Sequence, residues 1–336
     1  MRLFIFIFAV FIACFAGFGK NERALAAEST PRFILPLGCT LGKDCWAVNY
    51  LDVDPSADSH KDFKCGVKTY EAHKGVDFAL RSRLEMAAGV NVLAGADGRV
   101  ERVRDGESDM MKSEEAYKAI RAENKDCGNG ILLRHGPGLE TFYCHLKDGS
   151  LKVKPGDEVR AGDVIAQVGQ SGYAEFPHLH FSVIWEGAHV DPFTGLTNQD
   201  GCGGFKRSLW KDEIAYEPYA VFDGGFEDKV PDFEVIKKGR MHPMHLSQTA
   251  QNIVYWAGFY HARAGDVIDL RITGPDGAVI AQTHKVLEQN RKRPSFYYTG
   301  RRLHGKALEP GTYKGEITYK REGFEAQTFS HSIVVR

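Results

Sequence analysis

The chain has 336 residues, of which 43% are hydrophobic and 26% charged, and its formal net charge at pH 7 is −1. This composition is typical of a globular protein, and the lack of a basic excess excludes the electrostatic signature of a nucleic-acid-binding protein. The length suits two domains better than one.

Residues 1–26 predict a secretory signal peptide. Arg2 precedes an apolar run over residues 3–18, and Ala24-Leu25-Ala26-Ala27 supplies a cleavage site, which we place after Ala26. The run is short for a membrane span, and no later segment predicts one. Cys14 lies in a weak match to a lipoprotein processing sequence, but we do not expect lipidation because Phe11 is a poor first residue for it. We expect an exported, periplasmic protein.

The remaining cysteines predict disulfides. They are Cys39, Cys45, Cys65, Cys127, Cys144 and Cys202. An even count in an exported protein favours disulfide bonds, and a structural zinc site is disfavoured because no C-x-x-C pair occurs. The pairing stays open at this point. Residues 27–69 form a Cys-containing N-terminal segment with little periodic structure. The sequence leaves open whether this segment is a latent prosegment that blocks the groove of the active site.

Residues 70–200 predict an all-β domain, because short apolar runs alternate with turn residues. The candidate strands cover residues 76–80, 90–94, 98–103, 131–135, 141–146, 164–168 and 179–185. The insertion at 109–124 is rich in helix-favouring residues, and it predicts a helix over 114–122 that Ser113 caps. We expect this helix to be a solvated insertion rather than a groove wall.

Residues 201–247 are interpreted as a linker, and residues 248–336 predict a second β domain. Ile268, Leu270 and Ile272 alternate with other residues before a turn at 274–277. Several short strands of this kind favour a β-sandwich of immunoglobulin type. Its basic cluster is Arg291, Lys292, Arg293, Arg301 and Arg302. Solvated loops are the preferred interpretation of that cluster, and contact with an anionic wall polymer is the alternative.

Two short motifs carry the chemistry, His73-x-x-x-Asp77 and His178-Leu179-His180. Side chains two apart on a strand share a face, so His178 and His180 enter one pocket. The residues between His73 and Asp77 favour an extended chain. Two imidazoles and a carboxylate are the ligand set of a catalytic zinc site that keeps one position open. The motifs predict a zinc site built on a sheet, unlike the helical H-E-x-x-H type.

Further motifs follow the same order along the chain. They are H-x-G-x-D-F at 73–78, A-x-x-x-G-x-V at 94–100, T-x-Y-x-H-L at 141–146, P-H-L-H-F at 177–181 and V-D-P at 190–192. This block, roughly 120 residues, resembles the lysostaphin/LytM-type zinc metallopeptidases of metallopeptidase family twenty-three, which cut peptide bonds in peptidoglycan. The resemblance implies a LytM-type open, barrel-like β-sheet with a duplicated hybrid motif.

The resemblance also implies roles for five residues. His73, Asp77 and His180 are expected to hold one zinc ion, and His145 and His178 to be the two non-ligand histidines beside it. Three protein ligands leave room for a water whose pKa zinc lowers. No glutamate in a metal-binding motif supplies a general base, so an imidazole is expected to accept the water's proton while the other stabilises the oxyanion. The order of these two roles stays open.

Other candidate residues receive structural interpretations. His135 and His189 are expected to be structural or surface residues, and Tyr70 to pack rather than to donate to the oxyanion. Asp191 is expected to cap or turn the chain, with orientation of a ligand histidine as the alternative. Ser182 stands where the family often has Glu, and we expect that difference to change groove polarity and not metal binding.

The predicted function is that of an exported, zinc-dependent endopeptidase whose partner is peptidoglycan. A catalytically inactive regulator of cell-wall amidases is disfavoured, because such regulators typically lack zinc ligands that this chain retains. A biotinyl-type carrier, suggested by residues 153–169, lacks the exposed lysine at a hairpin tip. A wall-binding protein with structural metal predicts zinc without hydrolysis. The bond cleaved, the role of the C-terminal sandwich and the oligomeric state stay open.

Overall fold

Among the described residues, the largest sheet contains the predicted strands on which Asp77, His145 and His180 lie. The computed structural model describes residues 31–110, 112–239, 243–290 and 294–336, and residues 32–336 form a single unit. The predicted signal peptide, Cys14 and the basic residues 291–293 lie outside the described residues.

The regular elements of the N-terminal half are mostly short strands. Its elements are β1 Cys45–Asn49, β2 Val76–Leu80, α1 Arg83–Ala88, β3 Asn91–Leu93, β4 Gly98–Arg104, α2 Glu114–Ala122, β5 Asn129–Gly136, β6 Leu139–Leu146, β7 Glu158–Val159, β8 Val164–Gln167, β9 His178–Trp185 and β10 Ala188–Val190. The main sheet has the order β1-β2-β9-β6-β5-β4-β7, with β10 paired to β9, and β3 pairs with β8 in a second small sheet. Every strand predicted in this half is present.

Helix α2 follows the sequence prediction to the residue. Ser113 adopts an extended conformation, and its side chain accepts a hydrogen bond from the Ala116 amide at the start of the helix. Such a cap satisfies one of the amide groups that the first helical turn leaves unpaired. The start of this helix is therefore marked by a local signal in the sequence.

The C-terminal half is a β-sandwich. Its elements are β11 Ala220–Glu227, α3 Phe233–Lys238, β12 His245–Leu246, β13 Asn252–Tyr260, β14 Val267–Thr273, β15 Val279–Val286, β16 Ser295–Arg302, β17 Gly311–Lys320 and β18 Gln327–Val335. One sheet has the order β11-β13-β16 and the other β12-β18-β17-β14-β15. Tyr255 and Phe259 from the first sheet share a buried core with Ile268 and Ile317 from the second. The predicted linker contains β11 and α3, so it includes ordered structure.

Strand β1 was missed by the sequence analysis. It lies at the edge of the main sheet and pairs antiparallel with β2. On one face of the strand, Trp46 and Val48 are buried against Phe222 and Trp256 of the sandwich. The N-terminal segment is thus joined to both halves of the unit.

The predicted disulfides are confirmed, and the structure resolves their pairing. Cys39 bonds to Cys45, Cys65 to Cys202 and Cys127 to Cys144. The second bridge ties the N-terminal segment to the chain that follows the main sheet. Among the described residues, every helix is too short or too polar to cross a membrane.

Candidate metal centre

Three neighbouring strands bring the predicted site residues together. Asp77 on β2 lies directly opposite His180 on β9, and His178 on β9 lies opposite Ala79. His73 precedes β2 in an irregular stretch, and His145 lies near the end of β6, which pairs with the other edge of β9. All five predicted residues are therefore within one region of the sheet.

The atoms of three side chains converge on a single point. His73 Nε2 lies 3.1 Å from Asp77 Oδ1 and 3.0 Å from His180 Nδ1, and His180 Nδ1 lies 2.8 Å from Asp77 Oδ1. Ligand atoms bound to tetrahedral zinc at 2.0–2.1 Å are separated from one another by about 3.3 Å. The spacing of this His–Asp–His group therefore fits a metal ion.

A second group with metal-ligating residue types does not fit. Cys39, Asp44 and Cys45 lie close enough together to share an ion. However, the two cysteines are joined as a disulfide, and a metal-binding cysteine must be a free thiolate. The His–Asp–His group is the better candidate in the described chain.

Gly75 shows why the first motif needs a glycine between its two ligands. A Cβ atom at this position would lie 2.5 Å from the Phe181 carbonyl oxygen and 2.9 Å from His180 Nε2. Only a residue without a side chain allows the loop after His73 to pass this close to β9. The close approach brings His73 and Asp77 against His180.

The two remaining histidines lie beside this group. The ring centroids of His145 and His178 are 4.5 Å apart, and His178 Nε2 lies 3.8 Å from Asp77 Oδ1. His145 Nδ1 donates to the Ser171 carbonyl at 2.9 Å, and His178 Nδ1 donates to the Phe176 carbonyl at 2.8 Å. A carbonyl only accepts, so the proton of each neutral imidazole is on Nδ1 and Nε2 has a free lone pair.

The surroundings of Asp77 and His145 shift the pKa values of both side chains in directions that favour metal binding and proton acceptance. Burial alone would raise the pKa of Asp77, but the nearby His73 and His178 imidazoles hold that pKa well below its usual range. Burial, followed by the nearby His178 and His180, lowers the pKa of His145 well below 6.5. Asp77 is therefore ionised and His145 neutral at neutral pH, the forms that a ligand and a proton acceptor require.

The other sequence candidates lie apart from the ligand atoms or make structural contacts. His135 bonds to the Asp97 carbonyl and to Thr141 Oγ1, both at 2.7 Å. Asp191 Oδ2 accepts hydrogen bonds from the amide and hydroxyl of Thr194, which form a turn. The Tyr70 ring packs against the His73 ring at a tilt of 31°, with the ring centroids 4.3 Å apart.

Helix α2 packs against the loop that leads into His178. Tyr117 is buried, and its hydroxyl donates to the Ala174 carbonyl at 2.9 Å. The ring of Tyr173 lies 4.9 Å from that of Tyr117, and the Arg121 guanidinium lies 4.1 Å above the Tyr173 ring. The helix is otherwise mostly exposed, as expected for a solvated insertion, and Tyr117 is the buried residue through which it contacts this loop.

Three contacts around the site were missed by the sequence analysis. Asn49 and Tyr50 hydrogen-bond to Asp77 and His73, and Ser182 contacts His180 directly. A carbonyl such as that of Tyr50 has no signature in the sequence. The Ser182 contact could have been found, because residues two apart on a strand share a face.

The fold and the site define a β-sheet protein with a His–Asp–His metal-binding group flanked by two histidines. The sequence profile of Peptidase family M23 matches residues 71–192. The predicted resemblance is therefore confirmed over these residues.

Relatives match over the same block. A metalloprotease of Haemophilus influenzae is 37% identical over 122 residues, which is 36% of this chain and 20% of that protein. The DD-carboxypeptidase/endopeptidase Mpg of Neisseria meningitidis is 30% identical over 124 residues, 37% of this chain and 23% of that protein. The chain thus spans about a fifth of the length of these relatives.

Solved structures include a related catalytic domain. That of lysostaphin from Staphylococcus simulans is 29% identical and covers 36% of this chain and 77% of its own length, with a TM-score of 0.27.

Proposed function

We propose that the protein is an exported zinc-dependent endopeptidase that hydrolyses peptide bonds in peptidoglycan, in cross-links or stem peptides. The observation that carries this proposal is the convergence of His73 Nε2, Asp77 Oδ1 and His180 Nδ1 beside two further imidazoles. The domain belongs to a peptidase family, and a relative is named as a DD-carboxypeptidase/endopeptidase.

His73, Asp77 and His180 would hold one zinc ion through the three atoms that converge. Bound zinc supplies a Lewis acid that polarises the scissile carbonyl and lowers the pKa of a water molecule. The ionised carboxylate of Asp77 offsets part of the metal's charge, and the two imidazoles are neutral ligands.

His145 and His178 would move the protons. Each directs its Nδ1 proton to a main-chain carbonyl, so each can accept a proton at Nε2 without changing its orientation. One imidazole would accept the proton of the attacking water. The other would stabilise the oxyanion of the tetrahedral intermediate by donating a hydrogen bond from Nε2. The second role requires that imidazole to be protonated at Nε2.

The substrate class and location follow from the relatives and the N-terminus. Peptidoglycan lies outside the inner membrane, and the first 26 residues predict export. Three disulfides suit an oxidising compartment, so we assign the protein to the periplasm. Residues 70–200 would be the peptidase domain, and residues 248–336 the sandwich domain.

The test is digestion of purified peptidoglycan sacculi, with the muropeptides identified by mass spectrometry. We expect new free amino ends with the parent protein, their loss when a chelator is added, and their return with zinc. His180→Ala should release none, whereas His284→Ala, which alters an exposed histidine on the sandwich, should match the parent. Unchanged muropeptides together with stoichiometric zinc would favour a wall-binding role instead.

A further inference from the structure

Each of the three proposed ligands is held from behind by a second hydrogen bond. Asn49 Nδ2 donates to Asp77 Oδ2 at 2.8 Å, and His73 Nδ1 donates to the Tyr50 carbonyl at 2.6 Å. His180 Nε2 lies 3.1 Å from Ser182 Oγ. The atoms used in these bonds are not the atoms that face the metal position.

The direction of the Ser182 bond can be assigned. Ser182 is buried, and its hydroxyl donates its single proton to the Lys74 carbonyl. Its oxygen must therefore accept from His180 Nε2, which places the proton of that neutral imidazole on Nε2. The lone pair on Nδ1 then points toward Asp77 Oδ1. His73 is fixed in the same manner, with its lone pair on Nε2.

Two of these partners come from the N-terminal segment. Asn49 ends strand β1 and lies opposite Asp77 in the pairing with β2. The Tyr50 carbonyl also accepts a hydrogen bond from Thr69 Oγ1 at 2.7 Å. The aromatic ring of Tyr50 is fully buried among aromatic side chains that include Phe63 and Phe193. The position of this carbonyl is therefore fixed by packing on several sides.

The same segment is integrated into the rest of the unit. Phe33 is fully buried, and its amide and carbonyl bond to Leu209 and Lys211. Trp46 is buried against the sandwich. A prosegment that blocks a groove is joined to its domain by contacts that can be released, whereas this segment contributes to the buried cores and to the main sheet.

We propose that strand β1 is a working part of the metal site and that Asn49 and Ser182 are positioning residues for Asp77 and His180. The inference rests on the proposed metal site. Outer hydrogen bonds of this kind orient ligands and fix their tautomers, and their loss typically lowers metal affinity about 10–100-fold. The N-terminal segment is thereby assigned to metal binding and not to inhibition.

The test measures zinc affinity of the full chain by competition with a chromophoric chelator, together with the melting temperature of the metal-free protein. Asn49→Ala and Ser182→Ala should each weaken zinc binding about 10–100-fold. Ser150→Ala is the matched control, because Ser150 is buried and its hydroxyl also donates to a carbonyl, that of Lys147. Asn252→Ala is the second control, since its amide donates to the Asp228 carbonyl in the sandwich.

The outcomes separate this inference from the proposed function. A parent chain that binds no zinc would overturn the metal site itself. Variants that keep the parent's zinc affinity would overturn the role of Asn49 and Ser182 while leaving the metal site intact. Melting temperatures distinguish positioning from general destabilisation: the proposal requires the metal-free variants to melt no lower than the two controls. A fall in melting temperature that accounts for the lost affinity would overturn the proposal.

Discussion

His145 and His178 lie with their ring centroids 4.5 Å apart, and both donate their Nδ1 protons to main-chain carbonyls. The acceptor in each bond is a main-chain carbonyl oxygen, which does not change its protonation state. The two imidazoles are therefore held in one orientation and one tautomer, and their Nε2 atoms are left for the reaction. In the proposed mechanism they act beside the His–Asp–His group and are not metal ligands.

The first prediction separates these imidazoles from the metal ligands. His145→Ala should lower the rate of peptidoglycan cleavage about 10²–10⁴-fold, the usual contribution of a general acid–base residue. Zinc content per chain should stay close to that of the parent, as measured by atomic absorption. Loss of zinc in this variant would show that His145 is a ligand and that the assignment is wrong.

The second prediction concerns the space beside Gly75. Gly75→Ala places a methyl group 2.5 Å from the Phe181 carbonyl oxygen, so β2 and β9 must move apart. We expect a loss of about 1–3 kcal/mol in the free energy of unfolding, as for other overpacked sites. Zinc affinity should also fall, because the same movement separates Asp77 from His180.

Gly38→Ala is the control for this substitution, since its new methyl group would meet Asn91 Cβ at an ordinary 3.5 Å. Denaturant unfolding and chelator competition measure the two quantities. If Gly75→Ala and Gly38→Ala had the same free energy of unfolding and the same zinc affinity, the steric argument would be contradicted.

The third prediction links a disulfide to the backbone of His145. This residue has a φ of 61°, in the left-handed region that non-glycine residues adopt at a cost of about 1–3 kcal/mol. Its amide donates to the Cys127 carbonyl at 2.8 Å, and Cys144 beside it is bonded to Cys127. Replacing both cysteines by serine should lower the cleavage rate, with zinc affinity much less affected.

The Cys65–Cys202 bridge supplies the comparison. This bridge closes a far longer loop than Cys127–Cys144 does. Its removal should lower the free energy of unfolding by about 4.7 kcal/mol, compared with about 3 kcal/mol for removal of the Cys127–Cys144 bridge. At a temperature where both variants are folded by circular dichroism, only the Cys127/Cys144 variant should lose rate. Equal losses of rate would mean that the bridge near His145 acts through stability alone.

The fourth prediction is a pH dependence of stability. Burial raises the pKa of Asp191 from 3.8 to about 7. The folded state then holds a proton that the unfolded state releases, so this residue's contribution to stability is full below pH 3.8 and is lost as the pH rises through 7. Asp191→Asn removes that titration.

The stability of Asp191→Asn relative to the parent should therefore increase by about 1.4 kcal/mol for each pH unit between about 4.5 and 6.5 and then level off. Urea unfolding at several pH values measures this difference. A constant difference across the range would show that Asp191 does not titrate near neutrality.

Short-range patterns account for what the sequence predicted well. The period of two in His178-Leu179-His180 places both imidazoles on one face of β9, and the cap residue Ser113 marks the start of α2. Both signals span a few residues. The spacing of His73 and Asp77 is also local, so the sequence predicts a metal-binding group, whereas the choice of His180 over His178 as a ligand depends on the family resemblance.

Long-range pairing accounts for what the sequence did not predict. Asn49 bonds to Asp77 across 28 residues, and this contact exists only because β1 pairs with β2. Strand β1 carries no alternating pattern, because Cys45, Trp46, Ala47 and Val48 are all buried. Strand β11 is hidden for the same reason, since burial on both faces removes the period of two.

The central claim is that water directed by this metal site cleaves a peptide bond in peptidoglycan. The most direct measurement is digestion of sacculi in water labelled with heavy oxygen, followed by mass spectrometry of the muropeptides. Each new carboxyl group should contain one heavy oxygen atom and be paired with a new free amine, and neither product should form with His180→Ala or after chelation. Products that carry the label elsewhere, or that form equally well without metal, would contradict it.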